Sequence, residues 1–284
     1  MNLSDLSTIK SVLARHGFSF SKSLGQNFLV NPEVCPRMAE ECGAEQGVGV
    51  LEIGPGIGVL TAELAKRAEK VVSVELDRRL LPVLKETLSE YSNVNVVNGD
   101  VLKLDLSRLI QEEFSGLRVV VCANLPYYIT SPVIMKLLEE QLPIEAITVM
   151  VQREAADRLC AEPGTRACGA VSAAVQYFAE PEILFDVMRE SFIPQPNVDS
   201  AVIQLAVRGE PPVSVQSEKN FFALVRAAFG QRRKTVLNSV SAGLSLPKER
   251  VAVALEKAEI PQNARAEQLK MQQLAALANE LVHE

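Results

Sequence analysis

Val48-Gly49-Val50-Leu51-Glu52-Ile53-Gly54-Pro55-Gly56-Ile57-Gly58-Val59-Leu60-Thr61 is the stretch whose reading decides the fold class. Val48 to Ile53 reads as a buried strand, and Leu60, Leu64 and Ala68 recur at helical spacing, predicting a helix to about Ala68. A glycine loop lies between them. Strand, glycine loop and helix in that order open a nucleotide-binding α/β domain. The glycines fall at Gly-x-Gly-x-Gly, whereas the dinucleotide pattern needs its third glycine one place later, where Val59 stands. Glu52, at the strand end, repels a pyrophosphate but suits a ligand with a positive sulfonium and an amino group.

Working outward, three more strands end in polar residues. Lys70 to Asp77 reads as a strand closing on acids. Glu75 stands about 20 residues past the loop, where an acid binds a ribose hydroxyl pair. Asp77 fits the N-cap of the following helix. Val94 to Asn98 is a third strand, followed by Gly99-Asp100-Val101. Asp100 is placed to accept from an adenine amino group, with Leu76 and Val101 flanking the ring. The fourth strand, Val119 to Ala123, runs into Asn124-Leu125-Pro126-Tyr127-Tyr128. Pro126 biases Leu125 away from the helical region, so that the carbonyls of Asn124 and Leu125 can point outward. Two such acceptors can hold an exocyclic amino group, and Tyr127 or Tyr128 offers a flat face to an unstacked base. Open α/β sheets bind ligands at this carboxyl edge. The four strand ends together suit S-adenosylmethionine.

Composition sets the bounds. The chain has 284 residues, 48% hydrophobic and 23% charged, as in an ordinary globular protein with room for two domains. No apolar run reaches membrane-spanning length, and Met1 to Lys10 lacks the apolar core of a signal peptide. The five cysteines show no Cys-x-x-Cys spacing, which argues against disulfide and metal roles and for a reducing cytoplasm. No metal site is expected. A net charge of −6 argues against a nucleic-acid partner, but its distribution argues back. Leu6 to Pro32 holds Lys10, Arg15 and Lys22 without an acid, and Arg226 to Lys248 is likewise basic and acid-free.

Further along, Asn31-Pro32 reads as the N-cap and first residue of a helix. Thr148 to Gln152 is a fifth strand, and Glu162 to Arg166 a loop expected over the site. Ile183 to Val187 and Ala201 to Val207 form a closing antiparallel hairpin. Phe192, held by the prolines that follow it, is proposed to pack on a base opposite Tyr127. Gly209-Glu210-Pro211-Pro212 is a linker. Beyond it the chain is helical, with Arg226, Arg232, Arg233 and Lys234 as phosphate donors. The expected domains are thus residues 1–208, carrying cofactor and catalysis, and 209–284, a helical RNA-binding domain.

The series Gly54-x-Gly56-x-Gly58, Glu75, Asp100 and Asn124-Leu125-Pro126-Tyr127 resembles the ribosomal RNA adenine dimethyltransferases, and within them the small-subunit, kasugamycin-sensitivity branch. Leu24-Gly25-Gln26-Asn27-Phe28-Leu29, Gln152-Arg153-Glu154, Phe192 to Ser200 and Gln231-Arg232-Arg233-Lys234-Thr235 carry the likeness across nearly the whole chain. The resemblance implies a Rossmann-like methyltransferase sheet with a C-terminal all-α domain. It places cofactor contacts on Asn27, Leu29, Gly54, Glu75, Asp100 and Asn124. It also implies two methyls on each of two adjacent adenines near the 3′ end of small-subunit (16S) ribosomal RNA, within a pre-ribosomal 30S particle. One departure is Cys168, where the family usually carries a tyrosine.

The expected chemistry is direct displacement. Asn124, Leu125, Pro126 and Tyr127 hold a flipped adenine, and positioning replaces a strong base. A monomer without membrane attachment is expected. Two other readings are methylation of large-subunit RNA, as in antibiotic-resistance enzymes, and a non-catalytic ribosome-assembly factor. The length after Gly209 favours the small-subunit branch, and the intact Asn124 and Glu75 favour catalysis.

Overall fold

Strands buried on both faces need cover on each side, which a chain alternating strand and helix supplies. The computed structural model describes residues 3, 5–18 and 27–281. Lys22, the Leu24-Gly25-Gln26 part of the N-terminal motif and the chain's last residues lie outside these. The strands are β1 (Phe28–Leu29), β2 (Val48–Ile53), β3 (Lys70–Glu75), β4 (Val94–Asn98), β5 (Arg118–Asn124), β6 (Ala146–Gln152), β7 (Ala179–Val187), β8 (Phe192–Ile193) and β9 (Ser200–Val207). The helices before β7 are α1 (Leu6–Arg15), α2 (Val34–Glu41), α3 (Val59–Ala65), α4 (Leu81–Thr87), α5 (Leu106–Glu113), α6 (Thr130–Glu139), α7 (Arg153–Leu159) and α8 (Ala170–Phe178). After β9 come α9 (Glu218–Phe229), α10 (Val236–Gly243), α11 (Lys248–Lys257) and α12 (Met271–Leu281).

Seven strands form one sheet in the order β4-β3-β2-β5-β6-β9-β7. The ladders joining β4, β3, β2, β5 and β6 are parallel, and β9 adds antiparallel to β6. Moving along the chain, strands are laid outward from β2 to β4, then on the other side through β5 and β6. The order therefore reverses between β2 and β5, and their carboxyl ends form the crevice where such sheets bind ligands. Every residue of β2 is buried, the glutamate included. Its neighbours in the core include Met38 of α2, Leu64 of α3 and Cys122 of β5, each fully buried. Truncating a side chain such as Leu64 to alanine costs about 2–5 kcal/mol.

One reading is corrected locally. The helix expected from Asn31-Pro32 begins at Val34, because the Asn31 side chain accepts from the Glu33 N–H at 3.0 Å and closes a turn instead. Phe192 opens β8, which pairs antiparallel with β1 through Phe28↔Ile193 and Leu29↔Phe192.

By contacts the chain forms two compact units, one of residues 1–156 and 182–207, the other of 157–181 and 208–284. The second is built on an aromatic cluster. Tyr177 and Phe178 of α8 meet Phe221 and Phe222 of α9 with ring centroids 5.1–5.2 Å apart. The Tyr177 hydroxyl donates to Glu218 at 3.0 Å, satisfying the polar end of a buried ring. Leu255 of α11 and Leu274 and Leu277 of α12 are fully buried. The loop from Glu162 to Arg166 falls in this unit.

Candidate active site

The first unit carries a cleft at the carboxyl ends of β2, β3 and β5. After β2 the chain must turn sharply, and Gly54, Gly56 and Gly58 take φ of 72°, 60° and 91°. That left-handed region strains any residue with a Cβ. A Cβ on Gly56 would also stand 3.3 Å from the Phe28 ring, and one on Gly58 only 3.0 Å from Leu88. The loop thus brings bare backbone up to the cleft.

Glu52, one residue before the end of β2, has 1% of its surface exposed. One carboxyl oxygen accepts from the Ser73 and Thr61 hydroxyls at 2.6 and 2.7 Å, and the other has no partner among the described residues. Burial pushes this carboxyl up to about 7, against the opposing pull of the two hydroxyls. Glu75 ends β3 and accepts from the Asp77 N–H at 2.6 Å and from the Gly56 backbone, so the acid braces the glycine loop. Burial raises it as well, with the backbone donors opposing. Asp77 caps the turn that follows, accepting from the Arg79 N–H at 3.0 Å and pairing with its guanidinium. Asp100 accepts from the Leu102 N–H at 3.0 Å, and its second oxygen lies 3.5 Å from Lys103.

β5 delivers the fourth strand end. Leu125 buries its side chain and donates its N–H to Met150 at 3.3 Å. Neither the half-buried Asn124 amide nor the Leu125 carbonyl has a hydrogen-bond partner among the described residues. Pro126 then starts a 3₁₀ turn over Tyr127–Ile129. The Tyr127 hydroxyl is 2.7 Å from that of Ser200, and burial raises its phenol above the usual range.

One cleft gathers Asn27, Leu29, Gly54, Gly56, Glu75, Leu76, Asp100, Val101, Asn124, Leu125, Pro126, Tyr127 and Phe192. Those are all the expected cofactor and base-binding residues of the first unit. Leu76 is 52% exposed there, leaving an apolar surface open to a flat ring. Phe192 is only 2% exposed and packs in the core with Leu29, so it lines the cleft as a wall rather than a free face. Arg226, Arg232, Arg233 and Lys234 belong to the second unit. All four are exposed, and Arg232 donates to the Arg166 carbonyl at 3.1 Å. Cys168, in the same unit, is fully buried, and its thiol is pushed up to about 11 by that burial.

Glu52 and Tyr128 also line the cleft, as does Phe28, to which sequence reasoning assigned no site role. Phe28 could have been found from its place between Asn27 and Leu29.

The donors and acceptors suit a cationic, adenine-bearing cofactor. An unpartnered buried carboxylate oxygen and two further acids would repel a polyphosphate. They accept an ammonium or sulfonium group and a ribose.

Comparison with known proteins gives the same direction. A family model described as ribosomal RNA adenine dimethylase matches residues 17–283. The ribosomal RNA small subunit methyltransferase A of Geobacillus sp. (strain WCH70) is 50% identical over 278 residues, covering 96% of each chain. The crystal structure of a dimethyladenosine transferase from Plasmodium falciparum superposes with a TM-score of 0.72 at 26% identity, over 88% of this chain and 95% of that one. The 23S rRNA methyltransferase ErmE superposes at 0.68 with 30% identity, over 89% and 99%.

Proposed function

The chain belongs to the ribosomal RNA adenine dimethylase family, and on that premise we propose how its cleft works on small-subunit ribosomal RNA. It is an S-adenosylmethionine-dependent rRNA adenine-N6 dimethyltransferase. The relative named for the small subunit shares 50% identity and the one named for 23S rRNA 30%, so the large-subunit reading falls away. The target is a pair of adjacent adenines near the 3′ end of that RNA, presented in a pre-ribosomal 30S particle. The enzyme acts as a monomer in the cytoplasm.

When bound, the cofactor supplies an electrophilic methyl on a sulfonium. Asn27, Leu29, Gly54, Gly56, Glu75, Leu76, Asp100 and Val101 hold it. Glu75 takes the ribose hydroxyls, Asp100 the adenine amino group, and Leu76 and Val101 flank that ring. Asn124 and the Leu125 carbonyl accept the two hydrogens of the target amino group. Accepting both draws the nitrogen out of conjugation and turns its lone pair towards the donor. Pro126 fixes the chain so that both oxygens face the base. Tyr127 carries the base on its ring, with Phe192 as the wall behind. The rate gain then comes from placement and fixed dipoles. Arg226, Arg232, Arg233 and Lys234 grip phosphates and set the RNA's position. By this division the first unit is catalytic and the second binds RNA.

The observation that carries this reading is the pair of unpartnered acceptors, the Asn124 amide and the Leu125 carbonyl, in the cleft that also holds Glu75 and Asp100. The test is methylation of purified, unmethylated small subunits by the full-length protein, followed by mass mapping of the nucleosides. Dimethyladenosine at two neighbouring positions is expected. Methyl groups on large-subunit RNA alone, or on no RNA, would overturn it.

A further inference from the structure

Two tyrosines follow Pro126, and they stand in different circumstances. Tyr127 is half-buried and tied through its hydroxyl to Ser200, which is fully buried. Tyr128 is 57% exposed, lines the same cleft, and has no hydrogen-bond partner among the described residues. Both lie in the 3₁₀ turn of Tyr127–Ile129, where successive side chains leave the axis about 120° apart. Two rings so disposed cannot lie on one base. The turn is no loose loop: the Ile129 N–H donates to the Pro126 carbonyl at 3.1 Å, and α6 starts at the next residue. An aromatic ring on a rigid turn, open to solvent at the edge of a base-binding cleft, is a stacking platform held ready.

We propose that Tyr128 binds the nucleotide next to the target adenine, stacking its base while the target lies on Tyr127. This rests on the reading that an unstacked adenine of ribosomal RNA enters the cleft. A strand whose target base is pulled out loses stacking on both sides. A second ring restores part of that loss for one neighbour and keeps it out of the RNA stack. When the substrate is two adjacent adenines, the neighbour on Tyr128 is the next base to be methylated. The residue thus serves specificity for the pair, beyond affinity for a single adenine.

The test uses the full-length protein, its Tyr128→Ala and Tyr128→Phe variants, and short single-stranded RNAs. These carry 2-aminopurine on one side or the other of the target adenine. Wild type and Tyr128→Phe are expected to quench the probe on one side, because both keep the ring, and Tyr128→Ala to lose that quenching. On small subunits Tyr128→Ala should raise KM for the particle roughly tenfold, the size expected for one stacked base. The loss should fall more heavily on the second adenine than on the first, and Tyr128→Phe should restore it. A merely structural role would not separate the two adenines. If wild type methylates both adenines and Tyr128→Ala quenches and methylates identically, the assignment of Tyr128 is overturned while the functional reading stands. If wild type methylates no ribosomal RNA, the functional reading fails, and this inference with it.

Discussion

Tyr127 and Ser200 are joined within the first unit: their hydroxyl oxygens stand 2.7 Å apart, linking the turn after β5 to the first residue of β9. Ser200 is wholly buried, so its hydroxyl has no water to fall back on. Tyr127→Phe and Ser200→Ala should each cost about 1 kcal/mol of stability. The double variant should cost little more than either single one, giving a coupling near 1 kcal/mol by denaturant titration. Strict additivity would mean that the contact carries no energy.

Asn124→Ala removes an amide that no described side chain engages. The fold should therefore be unaffected, and cofactor should still bind, as calorimetry can show. Turnover should fall by roughly a hundredfold or more, the range seen when one preorganised polar group is deleted. Near-wild-type turnover would remove the amide from the chemistry.

Glu52 gives a pH signature. Its carboxyl sits at about 7 in the folded chain against 4.5 ordinarily, so the folded state holds its proton the more tightly. That contribution to stability is complete below about pH 4.5, declines as pH rises, and is gone above about pH 7. Glu75, also raised by burial, adds in the same sense. Glu52→Gln should flatten much of this decline. Above neutral pH it should make the ligand-free protein more stable by up to roughly 3 kcal/mol. A cationic cofactor favours the ionised acid, so wild-type affinity for S-adenosylmethionine should rise from pH 6 to 8, and that of the variant should rise less. An unaltered stability profile in the variant would contradict this account.

Gly58→Ala meets two obstacles, a φ of 91° and a Leu88 methyl 3.0 Å from the new Cβ. Gly47→Ala meets only the first, since nothing lies within 4 Å of its Cβ. The Gly58 variant should lose about 2 kcal/mol or more, a drop of roughly 4–8 °C in melting temperature. The Gly47 variant should lose about half as much. Equal losses would show that Leu88 yields without cost.

Arg233→Ala and Lys234→Ala remove exposed charges that face no described carboxylate within ion-pair range. Each should weaken RNA binding without regard to sequence and lower the salt dependence of log K by about one. An unchanged slope would take these side chains off the RNA path.

The first unit was legible because its fold is written locally. Buried parallel strands give unbroken apolar runs such as Val119 to Val121, and each run stops at a glycine, an acid or an amide that marks the ligand edge. The pairing of Phe28 and Leu29 with Ile193 and Phe192 was not legible. Two-residue strands so distant in sequence leave no period to read. Asn31 misled because one side chain serves an N-cap and a turn before a helix equally well. Tyr128 was named only as an alternative to Tyr127, since the pattern cannot say which of two consecutive rings is tied down and which is left open. The place of Tyr177 and Phe178 in the second unit was hidden for a related reason. Nothing in the local pattern says which distant rings they meet.

That last feature bears on any attempt to exchange the helical part between relatives. Residues 157–181 and 208–284 share one core although β9 and the end of β7 intervene. A single junction at the Gly209-Glu210-Pro211-Pro212 linker would leave Tyr177 and Phe178 facing rings selected in another lineage. A chimera that swaps RNA preference needs two splice points, and the foreign segment before β7 must travel with the foreign tail.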